Sequence, residues 1–159
     1  MTLMRRVAPL LRAGLVVLFG LLLVLQTLSF PGQFAHLAAE HPEQAWLRWP
    51  LTVFVAVEIL CAQVIVVCTW RLLTLVTRDS IFTEPALRWV DVIVGAVGTA
   101  WVLAAGGALW AVWGADDPGG PLLMLVALLF AAVAGLVVLV LRELLRRATG
   151  MRSELAAVI

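Results

Sequence analysis

Four long apolar runs, near Leu10 to Phe30, Pro50 to Leu73, Trp89 to Trp113 and Pro121 to Leu141, dominate this sequence. Each reaches the roughly 20 residues that cross about 30 Å of hydrocarbon at about 1.5 Å per residue. They predict an all-α integral membrane four-helix bundle. Hydrophobic residues fill 64% of the 159 positions, against about 45–50% in an ordinary soluble domain. Little chain is left over, so the expectation is one membrane domain over 1–159, with 142–159 as a helical tail.

The first run follows Arg5, Arg6 and Arg12, the basic start of a signal sequence. It reads as a signal anchor, because it exceeds the roughly 7–15 apolar residues of a cleavable signal and "SFPGQFA" is a poor cleavage site. No lipidation motif is evident, and Cys61 and Cys68 both lie inside a span.

All 11 basic residues are Arg, and their distribution orients the chain. Three precede or open the first span. Arg71, Arg78 and Arg88 surround the second connection, and Arg142, Arg146, Arg147 and Arg152 follow the fourth span; only Arg48 falls on the other side. Under the positive-inside rule both termini and the middle loop face the cytoplasm. Trp residues collect at headgroup depth, where the ring is buried and the N–H stays wet. Trp46, Trp49, Trp110 and Trp113 mark the outer boundary on this reading, Trp70 and Trp89 the inner one, and Trp101 alone lies at depth. Topology accounts for the Arg residues and the net charge is only +1, so nothing supports direct nucleic-acid binding.

Between spans, close packing depends on small side chains that let backbones approach. Ala96, Ala100, Ala104 and Ala108 recur every fourth residue on the third span, and Ala127, Ala131 and Gly135 repeat the device on the fourth. The short link through Asp116, Asp117 and Pro118 makes these two spans antiparallel neighbours that should pack most tightly. A homo-oligomer through either small-residue face is equally open. In the tail, Leu141, Leu144, Leu145 and Ala148 hold a helical spacing between Arg residues. This suggests an extension along the anionic inner leaflet, broken near Gly150, with Arg146 and Arg147 as candidate interaction residues.

Glu58 is the candidate functional residue inside the membrane. It lies eight residues into the second span, about 12 Å deep at helical rise. A charge there costs at least about 2.5 kcal/mol, so the carboxyl should be protonated, hydrogen-bonded or beside water. Proton or cation handling is one reading. The other is a neutral Glu bonded to a neighbouring helix through Trp101 or Thr99, which the lack of a second acid or base in the spans favours. Gln63, five residues on, projects about 140° away around the helix.

Other constellations carry less. Cys61 and Cys68 stand about 10.5 Å apart along one helix, beyond the roughly 7 Å Cα limit for a disulfide. His36 and Glu40 are one turn apart if helical, but His41 points elsewhere and no third ligand completes a metal site. No phosphate loop, nucleophile elbow or paired carboxylates appear, so no cofactor and no enzymatic activity are expected.

The middle loop, "TRDSIFTEPALRWVD", is built to start a helix. Thr83 suits the N-cap, Glu84 the positive helix end, and Pro85 the first turn, where its missing N–H does no harm. Phe82 and Leu87 form a hydrophobic staple, and Arg88 can pair with Asp91 three residues on. Arg78 and Asp79 have no capping task, which makes them the loop's candidate interaction residues.

The four-span layout, the step Ile81, Phe82, Thr83, Glu84 into the third span, then Leu87 and Arg88, and the Arg-rich tail resemble the bacterial membrane-protein family DUF2975. Pro85 stands where many members carry a polar residue, which weakens the case for a specific polar contact by the loop. The resemblance implies a protein of the bacterial inner membrane, often encoded beside a small helix-turn-helix regulator and hence one half of a membrane-linked regulatory pair. The family has no assigned catalytic residues. The expected function is therefore regulatory or interaction-based, the alternative a small oligomeric transporter or channel subunit using Glu58.

Overall fold

A computed structural model describes the backbone of residues 2–77, 84–113 and 119–158, and the side chains within 7–43, 45–77, 86–113 and 119–151. Helices account for almost all of it: α1 (Thr2–Val24), α2 (Phe30–Glu40), α3 (Arg48–Thr77), α4 (Glu84–Trp113) and α5 (Gly119–Val158). A π-helical turn, Leu25–Ser29, joins α1 to α2, and a 3₁₀ segment, Pro42–Leu47, precedes α3. Four helical stretches, Val7–Glu40, Ala45–Thr77, Ala86–Trp113 and Gly119–Met151, are long and apolar enough to cross a membrane. Helix is the form such segments need, since every N–H and C=O in hydrocarbon must find its partner inside the chain.

The first helical stretch extends well past the predicted end near Phe30. Proline normally interrupts a helix because it lacks an N–H and its ring clashes with the carbonyl four residues back. Just before Pro31 the helix widens instead: the Phe30 N–H reaches the Leu25 carbonyl, five residues back. The wide turn absorbs the proline, and the chain stays helical to Glu40. His41, at φ −123° and ψ 80°, finally leaves the helix.

The chain divides into two compact units, Met1–Val66 and Val67–Ile159, with the boundary inside α3. In the first, the Gln63 side chain of α3 donates to the Gln26 side chain of the π turn. In the second, α4 and α5 pack against each other. Their contacts run in opposite directions along the two helices. Asp91 meets Arg142, a Cβ on Gly135 would lie 3.4 Å from Val97, and Trp101 meets Leu128. This is the antiparallel pairing expected from the short link and the small residues.

The face that α5 turns inward differs from the expected one. Leu128, Ala132, Gly135, Val138, Arg142, Leu145 and Ala148 are among its more covered positions, whereas Ala127 and Ala131 are exposed. Gly135 does lie at the close approach. Ala127 and Ala131 do not, because the face is set by the row through Gly135 at mixed three- and four-residue steps. On α4, Ala96, Ala100 and Ala104 are half-buried and Ala108 is buried, as their register predicts. Gly150 breaks nothing: α5 runs through it as one helix of 40 residues, about 60 Å long and roughly twice the hydrocarbon thickness.

Candidate functional site

The first unit places three polar side chains on apolar helices. Gln63 is 6% exposed, and its Nε2 donates to Oε1 of Gln26 at 2.8 Å. An amide buried in hydrocarbon needs such a partner, and the π turn carries the group that supplies it. Glu58 lies on α3 about 7.5 Å along the axis from Gln63. It is half-buried, and its Oε1 is fully covered yet finds no hydrogen-bond partner among the described residues. Both side chains expected as its partners are engaged elsewhere. The Trp101 indole donates to the Leu128 carbonyl at 3.0 Å, and the Thr99 hydroxyl donates to the Gly95 carbonyl one turn back.

Gln26 escaped the sequence reading. Two signals could have found it: a polar residue deep in the first apolar run, and Pro31 five residues later, which demands a local change in helical pitch.

Cys61 and Cys68 are free thiols, Cys68 being buried and Cys61 half-buried. His36 Nε2 and Glu40 Oε1 approach to 3.4 Å on exposed side chains, the one-turn pair their spacing implied. No group of three His, Cys, Asp or Glu able to hold a metal occurs among the described residues. A shallow recess lined by Phe34, Leu37, Ala38, Leu47, Arg48 and Leu51 brings no set of polar groups together.

Among the described residues, the charges of the second unit gather at one end. The Arg71 guanidinium lies over the Trp89 ring, 5.7 Å from its centroid, a cation–π contact joining the end of α3 to the start of α4. Asp91 pairs with Arg142 of α5, where Arg88 was the expected partner. A residue from the adjoining helix meets Asp91 more directly than one on its own first turn. Arg142 in turn sits just past the last apolar residue of its run. One turn further, Arg147 donates to Glu143 at 3.0 Å. This bond holds the Glu143 carboxyl below the ordinary carboxylate range. Arg146 is exposed. Arg78 and Asp79, and the Ile81 to Thr83 step into α4, lie outside the described residues.

Chemically, the first unit can hold a proton or a hydrogen bond at Glu58. The second presents a charged, cross-braced helix end. No curated protein and no solved structure matches the chain. Residues 32–159 match the family described as "Protein of unknown function (DUF2975)", which takes in α3, α4, α5 and most of α2. The chain therefore belongs to the DUF2975 family, as the step into α4 and the Arg-rich tail led us to expect.

Proposed function

We propose that this chain is a non-enzymatic regulatory or interaction protein of the bacterial inner membrane. Its termini and the 78–83 connection face the cytoplasm, and it engages a cytoplasmic protein there. The observation that carries this reading is the bracing of one end of the second unit. Arg71 on Trp89 ties α3 to α4 and Asp91 on Arg142 ties α4 to α5 where the Arg residues concentrate, while Glu143 and Arg147 pair along α5 itself. Exposed ion pairs add little stability in water. Their value here is geometric, since they hold the helix that carries the tail in a defined register. The regulator expected from the family resemblance is one partner class that such an end could serve. The test is affinity capture from solubilised membranes with the full chain and with a chain ending after Leu141. The reading predicts a cytoplasmic protein retained only by the full chain; identical capture by both would sink it.

One observation favours a second reading, an oligomeric transporter or channel subunit using Glu58. Its covered Oε1 has no partner among the described residues, as expected of a group that exchanges protons or cations. Flux in proteoliposomes decides this. The second reading requires flux in the wild type that Glu58→Gln abolishes, and it fails if the wild type is silent or the variant conducts equally.

A further inference from the structure

Beyond the membrane, α5 carries an apolar seam whose large side chains, Leu141, Leu144 and Met151, stand exposed, with Ala148 half-buried between them. Leu141, Leu144, Ala148 and Met151 follow one another at steps of three, four and three residues, and Leu155 and Val158 continue the alternation. This is the seven-residue spacing of a coiled-coil seam, kept for about two and a half heptads with apolar residues at both positions. Leu144 is 58% exposed and Met151 is 61% exposed. Before Leu141, lipid can cover such a stripe. Past it, Arg142, Glu143, Arg146 and Arg147 surround the seam, and only another apolar surface can take it out of water.

Three occupants can be weighed on charge and geometry. A membrane surface would need the tail to turn sharply after the span, but α5 runs as one unbroken helix through Leu141 and Gly150. A second parallel copy would set Arg147 against Arg152 of its neighbour, because these flanking heptad positions meet five residues apart across a parallel pair. That like-charge contact recurs on both sides of a two-fold pair. A helix with aliphatic residues in its own seam and carboxylates beside them meets neither obstacle. The segment 142–158 carries four Arg against two Glu, and Asp91 of α4 takes up Arg142, so a positive excess remains that favours an acidic partner over a basic one.

We infer that the 141–158 segment of α5 is a docking site for an acidic amphipathic helix of a partner protein, taken up by heptad packing at Leu144, Ala148 and Met151. The inference rests on the interaction reading above and names the chemistry of the partner. The test uses the full chain in nanodiscs of zwitterionic lipid. The probes are two fluorescent peptides of roughly four heptads with Leu in the seam, one flanked by Glu and one by Lys. The Glu peptide should bind at least about tenfold more tightly than the Lys peptide, a difference of about 1.4 kcal/mol. Binding should disappear in Leu144→Asp/Met151→Asp, with helicity unchanged by circular dichroism. Equal binding of the two peptides, or none, overturns the inference. So does efficient copper-catalysed disulfide crosslinking of Leu144→Cys between copies, which would make a second chain the occupant. Nanodiscs expose both faces of the protein, so failure here leaves the cytoplasmic orientation standing, and a reversed orientation would not disturb this binding.

Discussion

Replacing Gln63 with Leu removes one half of the polar bond between α3 and the π turn. Gln63 is 6% exposed and the bond is 2.8 Å long, so the change leaves the Gln26 amide with no replacement in an apolar setting. An orphaned buried polar group costs about 1–3 kcal/mol in soluble proteins. Between membrane helices the measured coupling averages about 0.6 kcal/mol and reaches about 1.7. Gln63→Leu alone and Gln26→Leu alone should therefore each destabilise by about 1–2 kcal/mol. The double variant leaves no amide unpaired and should cost little more than either single change, a coupling of about 0.6–1.7 kcal/mol. Reversible unfolding in mixed micelles, followed by Trp fluorescence, supplies all four corners of the cycle. If the two single costs add to within about 0.3 kcal/mol, the side chains act independently and the bond has no energetic role.

Gly135→Ala should be nearly neutral, since its Cβ would rest at 3.4 Å from Val97. Gly135→Ile should force α4 and α5 apart at about 1–3 kcal/mol. Gly98→Ile, with open space around the added Cβ, should be silent by comparison, and thermal unfolding in detergent ranks the three. Trp101→Phe deletes the bond to the Leu128 carbonyl and should cost about 0.5–1.5 kcal/mol in the same assay. The folded Glu143 carboxyl lies below its ordinary range because Arg147 donates to it. Its contribution is thus complete above the unfolded value and disappears as pH falls through the lowered one. Hydrogen exchange around residues 143–147 should be faster at about pH 3 than at about pH 7 beyond the intrinsic pH effect, and Glu143→Gln should remove that difference.

Much of the helical framework is legible in the sequence. Run length alone marked the four spans, and the Ala96 to Ala108 row with a five-residue link marked α4 and α5 as neighbours. The readable features are local ones, where period, length and side-chain volume carry the information. Helix α2 was not legible because Pro31 and Gly32 mimic a helix end. Only the wide turn before them, itself a product of the whole helix, shows the chain continuing. The partner of Asp91 was equally hidden. Sequence spacing offers Arg88, three residues away, whereas Arg142 becomes a neighbour only once the α4–α5 register exists. Glu58 stood out from its position well inside an apolar run, and it lies within α3. Gln26 acquired meaning only with Gln63 opposite it.

The interaction reading depends above all on which side of the membrane the Arg-rich end of α5 occupies. Single cysteines at Arg146 and at His36, in chains with Cys61 and Cys68 replaced by Ala, can be challenged with a membrane-impermeant maleimide in spheroplasts and in inverted vesicles. The account predicts that the Arg146 position reacts only in inverted vesicles and the His36 position only in spheroplasts. Labelling of the Arg146 position from outside intact spheroplasts would contradict it.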